Sequence, residues 1–466
     1  MQIGNFTQKG TTVSKTVLAT AVAAALTLGG ADASAQTRGT ATRAEVQAIE
    51  TQMQALMERL NKLEATNTTL QTDNAELKAL ADRREAEVDY LKAQTRELRE
   101  EGAVASNEIS KVKGTDWAGK VKVRGDLRYR HEYIGTERIV DESVEDAEDR
   151  NRQRIRARLG VDAKVTDHVK ATLQFATGGE DPRSSNQTLG GTSSRKSIGL
   201  DLAYADWGFM QGGNVLLGKQ PNPIFRPGQS LFFDGDVNPE GAAVKFDRGM
   251  LFGTAYGWWL TEQFNADPAG ENADATIFGL QAGLKFPLLG GETVLAANYY
   301  DCGACRTNSP LYANNSNGNT TYRVGTSTTN LLTYDYDILE FAAQVGTTVG
   351  ALPLTLWANY AQNMADEVQQ DTAYGAGVVL GKASNPGTWE LGALYQSIEK
   401  DALFGQWIDS DFGDGKTDAD GWVVKAGYAP VRNFTVNATY FVNTLNKDVG
   451  TELDYDRLQL DMNYKF

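Results

Sequence analysis

The sequence predicts an all-β transmembrane barrel, antiparallel and of about 16 strands, preceded by an N-terminal α-helical coiled coil. Three observations carry that expectation. The chain ends in strict alternation: Leu458, Leu460, Met462, Tyr464 and Phe466 are apolar, and Arg457, Gln459, Asp461, Asn463 and Lys465 between them are polar. Segments of this kind recur from residue 117 onward, and the connections between them alternate between short turns and long polar loops. A strand with one face in lipid and the other in water must alternate in this way, and a barrel that crosses a membrane has short turns at one end and long loops at the other.

The N-terminus reads first. Lys9 and Lys15 precede an apolar stretch from Val17 to Leu28, and Ala33-Ser34-Ala35 supplies a small-residue cleavage pattern. That is a signal peptide over 1–35, followed by a short segment 36–41. The apolar run is too short to span about 30 Å of hydrocarbon.

Residues 42–101 contain neither Gly nor Pro and are rich in Ala, Glu, Gln, Leu and Arg. Steps of three and four place Val46, Ile49, Met53, Leu56, Leu60, Leu63, Asn67, Leu70, Asn74 and Leu77 on one seam. A lone helix cannot bury such a seam, so other chains are expected to cover it, with Asn67 and Asn74 fixing register. Gly102 and the Gly114–Gly119 region are expected to end the helix, leaving a linker over 102–116 and a barrel over 117–466.

Within the barrel region, Val121, Val123, Leu127 and Tyr129 alternate with Lys120, Lys122, Arg124, Asp126, Arg128 and Arg130. Fourteen further segments follow before the last strand, and Trp207, Trp258, Trp389 and Trp422 are expected at aromatic rims. Short turns are expected near 166–167, 211–212, 248–249, 290–291, 350, 384–385 and 430–431, and long loops at 131–151, 178–196, 221–240, 261–274, 301–337 and 400–419. An even strand number puts both barrel ends on the short-turn side.

Composition bounds the function. The chain has 466 residues, 2 Cys, 2 His and a formal net charge of -15. So few His and Cys argue against a metal or thiol enzyme, and no cofactor is expected. The acidity argues against nucleic acid as a partner. A mean hydropathy of -0.40 does not exclude a membrane protein, because a barrel hides its lipid face in alternation.

The candidate functional residues are charged. Arg124, Arg128 and Arg130 on the first strand would neighbour Arg152, Arg154, Arg156 and Arg158 on the second, with Lys170 on the third. Arginine on a lipid face costs about 2–4 kcal/mol at the midplane, so these side chains are expected in the lumen, partly neutralised by Asp126, Asp162 and Asp201. The Pro- and Gly-rich segment after the fifth strand carries Lys219, Arg226, Asp234, Asp236 and Glu240. Its position is similar to that of the third loop of general porins, which folds inward. It would bring Asp234, Asp236 and Glu240 toward the basic wall, and opposed linings make a transverse field. Cys302 and Cys305 read as a local disulfide. Asp409, Asp411, Asp414, Asp418 and Asp420 read as a solvated acidic loop. His131 and His168 fall at loop and turn positions.

The run Arg150-Asn151-Arg152-Gln153-Arg154-Ile155-Arg156-Ala157-Arg158-Leu159-Gly160-Val161 resembles the proteobacterial "putative porin" family. So do Ala176-Thr177-Gly178-Gly179-Glu180-Asp181-Pro182, Lys196-Ser197-Ile198-Gly199-Leu200-Asp201-Leu202-Ala203-Tyr204 and Asp409-Ser410-Asp411-Phe412-Gly413. In layout and basic ladder the chain is more loosely similar to phosphate-selective porins. The resemblance implies a non-enzymatic pore in contact with outer-membrane lipid, passing ions and small hydrophilic solutes by passive diffusion. A homotrimer with its coiled coil in the periplasm would fit it. The terminal Tyr464 and Phe466 resemble the signal read by the barrel assembly machinery. Two alternatives stay open: a substrate-specific anion channel, and a structural tether whose helix binds peptidoglycan.

Overall fold

The computed structural model describes residues 43–111, 118–262, 274–308 and 311–466. The signal peptide, the segment 36–41 and residues 112–116 of the predicted linker lie outside these residues. The described chain forms two units, a helix and a barrel.

The helix α1 runs over Arg43–Lys111, 69 residues. It does not stop at Gly102 as the sequence reading expected. One glycine costs a helix about 1 kcal/mol, which good helix formers on both sides offset. Thr66, Thr68, Thr69 and Thr72 fold their hydroxyls back onto carbonyls four residues earlier, which satisfies the hydroxyls within the helix while sharing the ladder's acceptors. The seam residues Met53, Leu56, Leu60, Leu63, Leu70 and Leu77 are all at least half exposed on the single chain. Val46 and Ile49 lie on the same helix.

The barrel strands are β1 (Val121–Val140), β2 (Arg150–Lys164), β3 (Val169–Thr177), β4 (Ile198–Met210), β5 (Gly213–Lys219), β6 (Glu240–Arg248), β7 (Leu251–Thr261) and β8 (Ala275–Leu288). Then come β9 (Gly291–Gly303), β10 (Asp337–Val349), β11 (Leu352–Asn363), β12 (Thr372–Gly381), β13 (Trp389–Ile398), β14 (Ala419–Val431), β15 (Phe434–Leu445) and β16 (Leu453–Lys465). Each pairs antiparallel with its sequence neighbours. β1 pairs with both β2 and β16, with Tyr129 opposite Ile155 on one side and Met462 on the other. The ring of 16 is therefore closed and has no free edge. Two short segments, Ser143–Asp146 and Gln187–Thr188, extend the ladder beyond β1 and β2.

The seam closes at the last residue. Gly125 and Phe466 exchange two backbone hydrogen bonds of 3.0 Å. The Phe466 ring lies where a Gly125 side chain would be, its edge overlapping the place of a Cβ. Only glycine admits that ring.

Alternation places the faces. On β16 Leu460, Met462 and Tyr464 are 43–52% exposed, whereas Arg457, Gln459 and Asp461 are 2–8% exposed. Leu127, Leu159, Leu173, Leu217, Leu280, Phe341, Leu391 and Val424 continue the exposed apolar face around the ring. Short turns alternate with long connections, as expected. Gly249 and Gly290 supply the positive φ (+65° and +79°) that two of the turns need.

Four features differ from the sequence reading. β1 runs to Val140, so the expected loop at 131–151 is mostly ladder and His131 is a strand residue. Gly135 and nearby charges masked its alternation. The connections 364–371 and 446–452 belong with the long loops. The last short turn lies at Arg432-Asn433, where Asn433 takes φ +63°. Trp258 is no rim residue: it is 1% exposed on the interior face, and its neighbour Trp259 faces outward. Trp207, Trp389 and Trp422 do face outward.

Inside, loops 220–239, 304–336 and 399–418 pack an aromatic cluster against the wall. Trp407 contacts Trp258 (5.4 Å between ring centres), Phe404 (5.5 Å) and Phe233 (5.9 Å), and Trp258 stacks on Tyr256 at 4.1 Å.

A side chain at the seam tests the closure. Gly125→Val is expected to displace Phe466 and to cost about 1–3 kcal/mol by overpacking. The heat-modifiable folded band on a gel should weaken, and its urea midpoint should fall.

Candidate functional site

The interior of β1, β2 and β16 is a lattice of opposed charges. Register sets Arg130 opposite Arg154 and Arg128 opposite Arg156, and like charges directly opposite repel. Carboxylates are interleaved to separate them. Asp126 accepts from Arg156 Nη2 (2.8 Å) and Arg158 Nε (2.7 Å). Asp461 receives both Nε (2.6 Å) and Nη2 (2.8 Å) of Arg130, the bidentate geometry that guanidinium favours. Arg124 donates to Asp162 at 3.0 Å.

Glu132 is the hub. It is fully buried and accepts from Arg457 Nη2 (2.8 Å), Arg130 Nη1 (3.4 Å), Arg154 Nη1 (3.4 Å) and Arg152 Nε. Asp411, from loop 399–418, reaches the same guanidiniums, 2.7 Å from Arg457 and 3.1 Å from Arg130. Burial alone would raise the Asp411 carboxyl, but Arg457 and Arg130 hold it well below the usual carboxylate range.

Loop 220–239 crosses the interior on hydrogen bonds to the walls. Phe225 N donates to Gln281 Oε1 on β8 (2.6 Å), Gly228 N to Gln344 Oε1 on β10 (2.6 Å) and Leu231 N to Gln396 Oε1 on β13 (3.2 Å). Gly228 has φ +49° and rides on the Trp357 indole, which leaves no room for a Cβ. Arg226 curls the loop on itself by donating to the Phe233 carbonyl at 3.2 Å. At the far end Asp236 stands 3.5 Å from Arg158 and 3.8 Å from Arg156, and also accepts from the Ser185 hydroxyl at 2.7 Å. Burial alone would raise its carboxyl, but those arginines keep it low. Asp234 accepts instead from Ser410 N at 2.9 Å; burial, with Asp409 and Asp236 nearby, pushes its carboxyl up.

The predicted residues thus divide. Arg124, Arg128, Arg130, Arg152, Arg154, Arg156, Arg158 and Asp236 share one wall. Lys170 is exposed beside the turn between β2 and β3. Glu240 does not reach the basic wall: it begins β6 directly opposite Lys219, and the two pair at 2.8 Å. The acidic loop is solvated only in part: Asp414 is exposed and pairs with Lys416 at 3.0 Å. Asp409 and Asp411 turn inward, and Asp418 is 2% exposed, accepting from Asp448 N and Val449 N. Asp201 accepts from Gln174 and Asn238, not from an arginine. Cys302 and Cys305 form a disulfide at the end of β9, both buried.

Glu132, Arg183, Arg457 and Asp461 were not singled out by the sequence. Arg457 and Asp461 stood on the polar face of the last strand, so alternation could have found them. Arg183 is a loop residue with no periodicity. Its guanidinium donates to Gly415 O (2.8 Å), Gly405 O (3.3 Å) and Asn317 Oδ1 (3.0 Å), joining three loops.

A cavity of about 330 Å³ lies between this wall and the loops, bounded by Arg128, Arg156, Asp236, Asp409, Lys425 and Thr439. Asp236 also borders a second cavity of about 590 Å³ beneath Gly178 and Ser184. Water and small ions can be held in such polar spaces, and several of the charges around them, Asp236, Asp411 and Asp461 among them, are held by arginines of the wall.

A family model described as "putative porin" matches residues 135–331 and 323–466. No curated protein matches the chain. Among solved structures, OprB of Pseudomonas putida is 14% identical over 75% of this chain and 95% of its own, with a TM-score of 0.49. Salmonella typhi OmpF in complex with daunomycin is 14% identical over 74% of this chain and 97% of its own, with a TM-score of 0.44. A loop-deletion mutant of OmpT, an outer membrane protein of Vibrio cholerae, is 14% identical over 74% and 99%, with a TM-score of 0.42.

Glu132→Gln should leave four guanidiniums short of a buried counter-charge and cost about 3 kcal/mol, read as a lower urea midpoint, while Asp146→Asn on the exposed ladder extension should be silent. Acid should act through Asp411. Its depressed pKa contributes stability that is complete above the unfolded value of about 3.9 and is lost as pH falls below it. Between pH 5 and pH 3 the native protein should lose more stability than Asp411→Asn does; equal losses would remove Asp411 from the lattice.

Proposed function

The chain belongs to the "putative porin" family, and on that premise we propose that it is an outer-membrane pore through which ions and small hydrophilic solutes pass by passive diffusion. The observation that carries this reading is the closed ring of 16 strands with apolar residues on its exposed face and buried charges on the other. Such a ring satisfies every backbone group without water and can sit in lipid. No reaction is catalysed in this reading. The arginine wall and the inward loop 220–239 bias selectivity, with Lys219, Arg226, Asp234, Asp236 and Glu240 on or flanking that loop.

The loops also favour a narrow pore over a wide sieve. Loop 220–239 is bonded to three walls, and its aromatic residues meet those of loop 399–418. That packing suits the substrate-specific anion channel better than a general sieve. In this reading the helix lies in the periplasm and bundles with two partner helices through Met53, Leu56, Leu60, Leu63, Asn67, Leu70, Asn74 and Leu77, whose apolar members are exposed on one chain.

Purified protein in planar bilayers should give discrete conductance steps; a closed barrel without steps would favour the tether instead. Replacing both Arg154 and Arg156 by Gln removes two positive charges from the wall and one partner each from Glu132 and Asp126, so the reversal potential in a salt gradient should move toward cation preference. An unmoved potential would take the wall out of selectivity. Light scattering of the detergent-solubilised protein should give three chains per particle, and a single chain would refute the bundle.

A further inference from the structure

The seven arginines that form the wall on β1 and β2 (Arg124, Arg128, Arg130, Arg152, Arg154, Arg156 and Arg158) are not equivalent. Six of them stand in ion pairs: Arg124 with Asp162, Arg130 with Asp461, Arg152 and Arg154 with Glu132, and Arg156 and Arg158 with Asp126. Arg128 has no such pair among the described residues. Its Nε donates to the neutral Asn463 at 3.1 Å, and the rest of the guanidinium borders the 330 Å³ cavity. Lys425 on β14 borders the same cavity and makes no ion pair or hydrogen bond among the described residues.

The carboxylates around this space are mostly committed. Asp461 is held by Arg130, Asp411 by Arg130 and Arg457, and Asp236 by Arg156 and Arg158. Asp234 and Asp409 accept backbone N–H groups, Asp234 from Asp236 and Ser410 and Asp409 from Asp411 and Phe412. Glu390, one strand from Lys425, is the single carboxylate lining the cavity without a partner among the described residues. Arg128 and Lys425 therefore stand outside the ion pairs of this space; Asp409, Asp411 and Glu390 attract Lys425 across it, and the neutral side chains of Asn437, Thr439 and Asn463 share its border.

We propose that Arg128 and Lys425 form a transient binding site for a small oxyanion, a carboxylate or a phosphate, inside the pore. The proposal rests on the porin reading and names the solute class of its narrow passage. Guanidinium offers a planar pair of donors to such an anion, and ammonium adds a point charge. At about 30 Å³ per water the cavity holds about ten waters, enough for a small anion and part of its shell.

The test uses the full chain in planar bilayers carrying chloride current, titrated separately with succinate and with phosphate. Saturable block by either supports the site, and the anion that blocks identifies which oxyanion it takes. Arg128→Gln with Lys425→Gln should raise the half-blocking concentration at least about tenfold. Arg128→Lys should retain part of the block, and Lys416→Gln, an exposed loop change, should retain all of it. Should the double variant fail to assemble, Lys425→Gln alone reads the same loss. A conducting channel that neither anion blocks, or block that the variants leave intact, overturns the site while the porin reading stands. A protein that never conducts overturns both.

Discussion

Hydrocarbon offers no partner to a peptide group, and that constraint organises the whole barrel. Each strand must bond on both edges, so the first must find the last. The meeting of β1 with β16 does this, down to the paired amides of Gly125 and Phe466. Once the ring closes, every residue has one of two environments, and the alternation of the sequence follows from that division.

The interior lattice is the next consequence. The seven wall arginines of two adjacent strands would repel one another if left alone. Asp126, Asp162, Glu132 and Asp461 come from the same strands or from β16, while Asp236 and Asp411 arrive on loops. The wall therefore does two things with one set of charges. It anchors loops that pack inside the barrel, and it keeps most of its own cations neutralised.

Much of this was legible in the sequence because alternation is a direct image of the lipid boundary. Sixteen strands, the faces of β3 and β16, the short turns and the inward arginines could all be read from it. Periodicity failed where geometry does not repeat. The continuation of β1 past Gly135 was hidden by charges that lie on ladder. Trp258 and Trp259 are adjacent, and nothing local says which of the pair faces inward. Glu240 looked like part of an acidic loop until strand register set it beside Lys219. The acidic run near residue 411 looked solvated because its partners Arg130 and Arg457 lie on strands far from it in sequence. Contacts between distant loops leave no local pattern.

Arg183 carries a consequence of a different kind. Its guanidinium clasps carbonyls of Gly405 and Gly415 and the side chain of Asn317, so three separately encoded connections share one footing. A change of length in any of them would have to leave that footing in place, a demand that the exposed tip at 323–329, outside the clasp, does not face.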